Sequence, residues 1–495
     1  MIFEVFKKMR EERPFSAAFL VTSGDLALPI TWRQFTDDID IVVHLIRTYA
    51  PGARIGILGE NSYEWVVAHA ACLFSGAVAI PVDMNLSPYE IAERMRFTGA
   101  VALVHSSLYE DKAHEAGKMT PGLVVAGFGT IKTERFLDRL RSAFGLNDSI
   151  WRQDHLELDE DSTGEPQTSM IVYTSGTTSK PRGAELTLRA LETFCAAWQT
   201  VVPMSVGDHS LMLLPLHHIF GICVVYLMLT RGVALGVCPD FRRIYDAFER
   251  FRVDFAFLVP ALAEILAQKI QQKGPSAEAA LGKPINWILV GGAALRRRTY
   301  EHLTALGVRV VTGYGLTETT ALYSATPLTG DPHVGAQGLV AQTKDVEAKV
   351  SDDGELLIRG PCVMKGYFKQ PEKTAEVIDA DGWYHTGDIG RIDADGYVWI
   401  TGRRSRTIIL SSGKKIAPEE LEERLMALPG VREALVTGEG ETRDIKAEIY
   451  PSMSEEFVRK AVGELNQTLP VYKRIKTVVV RKEPFPRTSS GKIKV

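Results

Sequence analysis

Between Ser169 and Val311 the chain alternates short apolar runs with stretches of helical periodicity, a pattern that few folds accept. Apolar runs at Leu211–Leu214, Val233–Val237, Phe255–Val259, Ile285–Val290 and Val308–Val311 predict strands. The stretches between and beside them, near Thr187–Val201, Arg243–Phe251, Pro260–Gln272 and Arg296–Ala305, predict helices. Such alternation implies right-handed crossovers and mostly parallel sheets covered by helices. Ligands on these sheets collect beyond the carboxyl ends of the strands. The pattern changes after Pro327. Asp353-Gly354 and Asp395-Gly396 each sit between apolar β-type runs and predict hairpins. The C-terminal stretch then gives strand (406–410), helix (418–427), strand (432–437), strand (445–450), helix (454–468) and strand (475–480), a split βαββαβ unit. With the boundary at Thr401–Ser405, the expectation is an α/β protein. Residues 1–402 form a large N-terminal domain of mostly parallel, helix-covered sheets plus a β-rich subdomain. Residues 403–495 form a small α+β C-terminal domain.

The segment Tyr173-Thr-Ser-Gly-Thr-Thr-Ser-Lys-Pro-Arg-Gly183 carries the most chemistry. From Thr174 to Ser179 every residue is glycine or bears a hydroxyl, so nothing bulky shields the backbone amides. The segment follows an apolar run (Met170–Tyr173) and precedes a helical pattern near Thr187, which predicts a strand-to-helix turn, where exposed N–H groups bind anions. Lys180 and Arg182 add positive charge. The common P-loop pattern needs Lys and a hydroxyl residue directly after its second glycine, and Gly183 is followed by Ala184 and Glu185 instead.

Further motifs follow in order: Val290-Gly-Gly-Ala-Ala-Leu295, Gly313-Tyr-Gly-Leu-Thr-Glu-Thr319, Trp383-Tyr-His-Thr-Gly-Asp388, Gly402-Arg403 and Pro486-Arg-Thr-Ser-Ser-Gly-Lys492. With Asn61 and Gly76–Val82 upstream, this series resembles the adenylate-forming superfamily of acyl-CoA synthetases, adenylation domains and beetle-type luciferases. The resemblance implies that Thr174, Ser175, Gly176, Thr177, Thr178 and Lys180 wrap the ATP phosphates. It implies that Gly292, Ala293 and Ala294 flank the adenine, with Gly313, Tyr314 and Gly315 beside them and Tyr314 stacking on the base. Asp388 would hold the ribose hydroxyls and Arg403 the ribose and phosphates. Thr317 would touch the α-phosphate, Glu318 would hold Mg²⁺, and His218 would gate the carboxylate pocket that begins at Leu214–Gly221. Lys492 would bridge the α-phosphate and the carboxylate, and Gly413 would let the CoA thiol arm pass in a second lid position. Three positions depart from the family pattern: Arg182 stands for Lys, Ser405 for a hinge Asp or Lys, and the chain stops at Val495.

The chemistry these residue types suit is consistent with those roles. A carboxylate attacking the α-phosphorus of ATP brings two anions together, so cations and aligned donors must neutralise them. Glu318 is a hard anionic ligand suited to Mg²⁺, and Lys492 lies in a locally basic segment with Arg487 and Lys494. The resemblance implies an ATP-dependent, AMP-forming carboxylic acid:CoA ligase with ATP, Mg²⁺ and coenzyme A as reactants. The apolar run Phe220–Val224 offers no cation for a second carboxylate, which favours a fatty or aromatic acid. Loading of an acyl carrier protein remains an alternative acceptor reaction, and a non-catalytic nucleotide-binding module is the alternative of another class.

Composition sets outer limits. A net charge of −4 argues against a nucleic-acid partner. Residues 404–495 carry 18 Lys and Arg against 13 Asp and Glu, a net of +5 that leaves −9 for the remainder and suits polyanionic ligands. Five cysteines without C-x-x-C spacing predict neither a disulfide framework nor a zinc site. The N-terminus lacks a secretory apolar core. The run Ile219–Leu229 is too short to span a bilayer. A cytoplasmic enzyme without a transmembrane segment is the resulting expectation.

Overall fold

The computed structural model describes residues 1–23, 26–49, 52–128, 167–174, 182–199, 201–238, 240–328, 335–340, 345–411, 414–440, 444–486 and 493. They form two compact units. The first comprises Met1–Pro332, Gly338–Val346 and Arg359–Ile378; the second comprises His333–Gln337, Glu347–Ile358 and Asp379–Val495.

The first unit holds three sheets. A seven-stranded sheet runs in the order Gly366–Tyr367, Arg182–Thr187, Thr168–Thr174, Val78–Val82, Arg54–Leu58, Ala102–His105, Val124–Gly127. From Thr168–Thr174 onward its strands are parallel. Their near-continuous burial (every residue of Ala102–His105, for instance) is the mark of a parallel sheet covered on both faces. A five-stranded sheet pairs Phe255–Leu258, Trp287–Val290 and Val310–Tyr314 in parallel and adds two short antiparallel strands. A four-stranded sheet combines Ala234–Val237 and His209–Met212 with the hairpin of Ala17–Ser23 and Leu26–Thr31. The strands and helices predicted between 187 and 311 all form, within three residues at each end. They are distributed over different sheets rather than one.

The segment after the hydroxyl-rich stretch departs from its prediction. Arg182–Thr187 is not the approach to a helix but a strand that runs antiparallel to Thr168–Thr174, with Thr174 opposite Arg182. The hydroxyl-rich segment therefore connects two antiparallel strands, and the helix starts only at Leu188. Arg-Gly-Ala-Glu-Leu-Thr has little intrinsic strand preference, so packing decides. Gly183 lies so close to Ile171 that a Cβ there would sit 2.7 Å from its methyl carbon.

The helix Ile219–Thr230 is apolar on every side and buried at every residue except Phe220, as a helix enclosed by protein must be. Among the described residues no helix is long and apolar enough to cross a membrane. Against this helix lies a buried histidine. His69 stacks on Trp65 at 5.1 Å, and its Nδ1 is 2.9 Å from the Tyr226 hydroxyl. Its Nε2 has no partner among the described residues. All five cysteines are free and buried.

In the second unit, Glu347–Val350, Glu355–Arg359, Tyr384–Ile392 and Val398–Arg403 form an antiparallel sheet. Both expected hairpins are present, with Gly354 and Gly396 at positive φ. The C-terminal part has its own core, built from residues such as Leu421, Leu425, Val436, Ile449 and Val458. Among the described residues its sheet has three strands, Val431–Glu439, Asp444–Pro451 and Thr477–Val480, not the four of a split βαββαβ unit. The expected first strand shrinks to Ile408–Ile409 and pairs with Lys415–Ile416 as a separate ribbon. Leu410 N donates to Lys414 O at 2.9 Å, which closes this ribbon.

Burial lowers the pKa of His69 to about 3. The folded state thus keeps the ring neutral, whereas the unfolded chain takes up a proton near pH 6.5. The stability this arrangement carries is present above pH 6.5 and is lost as pH falls toward 3. His69→Phe keeps a ring against Trp65 and removes the titration. Between pH 7 and pH 4.5 the variant is expected to lose less stability than the parent by roughly 2–3 kcal/mol in urea unfolding; parallel losses would mean that His69 does not carry the acid sensitivity.

Candidate active site

In the first unit, two of the sequence motifs leave neighbouring parallel strands at their carboxyl ends, where Val290 pairs with Thr312. After Trp287–Val290 the chain enters Gly291-Gly292, with Gly292 at φ +80° and Gly292, Ala293 and Ala294 exposed. A Cβ on Gly291 would meet the Phe220 ring at 2.9 Å, so the small residues and the apolar Phe220 segment share one wall. Val310–Tyr314 runs three residues further than the sequence suggests, so Gly313 and Tyr314 end the strand itself. The Tyr314 ring lies 5.1 Å from that of Tyr323.

Gly315 then brings two backbone segments together. A Cβ there would sit 2.2 Å from the Ala321 carbonyl, which excludes any other residue without displacement. Thr317–Thr319 makes a single 3₁₀ turn, followed by Thr320 and Ala321, both at positive φ (51° and 57°). Two consecutive non-glycine residues in this region store strain that the surroundings must enforce. Ala321 N donates to Leu316 O at 2.8 Å, and the Thr320 hydroxyl donates to Cys362 O at 2.8 Å. The turn presents half-buried Thr317 and Glu318.

Glu318 is held at two points by residues 364–367. Met364 N donates to its carbonyl at 2.8 Å, and the Tyr367 hydroxyl donates to Oε1 at 2.8 Å. Burial first, and then the Glu318 carboxylate, push the Tyr367 pKa far up, so the phenol stays a donor. The Arg182 guanidinium carbon lies 5.2 Å from the centre of the same ring. One tyrosine therefore separates the exit of the hydroxyl-rich segment from Glu318. Thr174 ends the strand at its entrance, half-buried. Ser175, Gly176, Thr177, Thr178 and Lys180 lie outside the described residues, as do Gly413 and Lys492.

His218 occupies the N-cap of Ile219–Thr230, 4.3 Å from the ring of His217. The buried Asn61 fixes the approach to this pair. Its Nδ2 donates to Met212 O (3.1 Å) and Leu214 O (2.9 Å), and its Oδ1 accepts from Leu216 N (3.2 Å). His217 is buried, and desolvation lowers its pKa against the opposing pull of Asp83, 3.5 Å away.

In the second unit, Asp388 is 3% exposed and sits opposite Arg403 in the sheet, with Arg403 Nε 2.6 Å from Oδ1. Beside them the buried Glu355 accepts from Gly387 N (2.7 Å) and Arg404 (2.9 Å) and meets His385 Nδ1 at 3.1 Å. Arg404 also pairs with Asp353. Arg406 reaches forward instead, to Glu419 (3.1 Å) and Glu422 (2.5 Å). Tyr367, Glu355 and Arg404 escaped the sequence reading. The signals available were a charged residue opening an apolar strand, Glu355-Leu-Leu-Ile358, and a lone tyrosine after Gly366.

Among the described residues no three His, Cys, Asp or Glu side chains cluster as a metal cage. A lone carboxylate such as Glu318 nevertheless fits Mg²⁺, which binds through one or two carboxylates plus substrate phosphates. Beyond this geometry, the family description "AMP-binding enzyme" matches residues 9–368, and "AMP-binding enzyme C-terminal domain" matches residues 405–494. The chain belongs to the AMP-binding enzyme family. A 4-coumarate–CoA ligase of Oryza sativa subsp. japonica is 31% identical over 477 residues, spanning 89% of this chain and 82% of the relative. A long-chain-fatty-acid–CoA ligase of Mycobacterium tuberculosis is 27% identical over 461 residues, spanning 90% of this chain and 87% of the relative. The ATP-bound structure of MatB from Rhodopseudomonas palustris shares the fold, with a TM-score of 0.82 at 24% identity, covering 99% of this chain and 97% of that one.

Removing the Glu355 carboxylate would leave Arg404 without one of its two anions and orphan a backbone N–H. Glu355→Ala is expected to destabilise the protein by about 1–3 kcal/mol, the usual cost of leaving a buried donor unsatisfied, because Arg404 is half exposed and keeps Asp353. A change below about 1 kcal/mol in chemical denaturation would show that this cluster adds no more than a surface pair.

Proposed function

We propose that the protein is an AMP-forming carboxylic acid:CoA ligase that activates a fatty or aromatic acid as its acyl-adenylate and transfers the acyl group to the thiol of CoA. The observation that carries the reading is the placing of Glu318 and Arg182 on either side of Tyr367, at the exit of the hydroxyl-rich segment. That arrangement suits a polyphosphate and a divalent cation together. The relatives that act on 4-coumarate and long-chain fatty acids support the substrate class, and the apolar helix behind Phe220 is consistent with it.

In this reading the segment Thr174–Lys180 wraps the ATP phosphates with amides, hydroxyls and a cation. Gly292, Ala293 and Ala294 flank the adenine, Gly313 and Gly315 let the backbone approach it, and Tyr314 stacks on it. Asp388 accepts the ribose hydroxyls and Arg403 orients that carboxylate. Glu318 holds Mg²⁺, which would spread the phosphate charge as the α-phosphorus is attacked. Thr317 contacts the α-phosphate, and His218 borders the acyl pocket beside the carboxylate. Lys492 places a cation between the carboxylate and the α-phosphate, and pyrophosphate leaves. Residues 403–495 act as a lid that presents Lys492 for the first step and the loop at Gly413 for the second. The match of a separate C-terminal family model to residues 405–494 supports a domain there. Two chemistries at one site suit a two-position lid.

With Mg²⁺, a panel of acids and CoA, the purified protein is expected to release AMP and pyrophosphate; ADP and orthophosphate would overturn the reading. The half-reactions separate further. Lys492→Ala is expected to slow adenylation by ~10²–10³ or more, the usual cost of losing a charge-stabilising donor, while still transferring a supplied acyl-adenylate to CoA. Gly413→Leu is expected to keep pyrophosphate exchange and lose thiol transfer. Equal loss of both steps in either variant would exclude the lid's division of labour.

A further inference from the structure

The geometry points to Tyr367 as a positioning residue that sets the Glu318 carboxylate for its divalent cation. Glu318 stands on a single 3₁₀ turn, and a carboxylate on so short an element has several rotamers open to it. Tyr367 removes that freedom by engaging Oε1 at 2.8 Å, which leaves Oε2 as the oxygen the phenol does not occupy. The tyrosine is itself well fixed. It is 5% exposed and lies opposite Ala184 in the strand pair with Arg182–Thr187, and its N–H donates to the Thr374 hydroxyl at 2.9 Å.

A donor of this kind, one step removed from the metal, orients the ligand carboxylate and tunes its basicity. The ring also contacts Arg182, which opens the strand that follows the hydroxyl-rich stretch. One side chain thus sets the metal carboxylate and the exit of that segment in a common frame. No step of acyl transfer passes through Tyr367, so its effect is confined to how tightly magnesium couples to the nucleotide.

This inference rests on the reading of Glu318 as the magnesium carboxylate, and the experiment keeps the two apart. ATP binding to the full chain is measured by titration calorimetry with excess Mg²⁺ and again with EDTA, for the parent, Tyr367→Phe and Glu318→Gln. Phenylalanine keeps the buried ring and removes only the hydroxyl, and melting temperatures verify that the fold persists. The expected result is a loss of about 10–100-fold in the magnesium-dependent gain for Tyr367→Phe, the scale seen when partners of metal ligands are removed. Metal-free ATP affinity should stay near that of the parent. If Tyr367→Phe keeps the magnesium gain while Glu318→Gln loses it, the positioning role is wrong and the reading of Glu318 stands. If Tyr367→Phe weakens binding equally with and without magnesium, its role is structural and the inference fails. If Glu318→Gln keeps the gain, the reading of Glu318 falls and this inference with it.

Discussion

Residues 364–368 attach to the edge of the seven-stranded sheet through Lys365 N to Glu185 O (2.9 Å) and Phe368 N to Gly183 O (2.8 Å). A third bond, Met364 N to Glu318 O, ties the strained turn of the five-stranded sheet to the same segment. This added strand gives two sheets built from distant parts of the chain a shared set of backbone bonds at the turn that carries Glu318. A net backbone hydrogen bond contributes only about 1 kcal/mol, so the value of these three lies in geometry. They define where a carboxylate and an arginine stand relative to each other, and the tyrosine between them follows.

Where burial was continuous or periodicity strict, the sequence was sufficient. Phe255–Leu258, Trp287–Val290 and Pro260–Lys273 form close to where their apolar patterns end. It failed where composition and packing disagree. Arg182–Thr187 is a strand because it lies between two partners, Thr168–Thr174 and Gly366–Tyr367, although its residues have weak strand preference. The motif residues were legible because glycine and charge cluster at strand ends. Glu355, Arg404 and Tyr367 were not, because their importance comes from partners remote in sequence. Glu318 and Tyr367 are 49 positions apart, and nothing local announces the bond.

The arginines around Ser405 divide between two sets of carboxylates. Arg403 and Arg404 are tied to Asp388 and Glu355 of the antiparallel sheet in the second unit and to Asp353 in its hairpin, while Arg406 is tied to Glu419 and Glu422 on the helix Pro418–Met426. Ser405 itself lies within the 3₁₀ turn Arg404–Arg406, between these ion-paired neighbours.

The five buried cysteines bear on a different property. Burial raises the pKa of each, to about 12 for Cys72 and Cys362, so the chain's own thiols stay protonated and screened from solvent. An activated acyl group is an electrophile that any accessible thiolate would intercept. Buried, protonated thiols are poor competitors of the incoming acceptor for such an electrophile. The same burial is a practical asset: one cysteine engineered on the surface would be the sole reactive handle for a fluorophore or spin label, with no native residue to remove first.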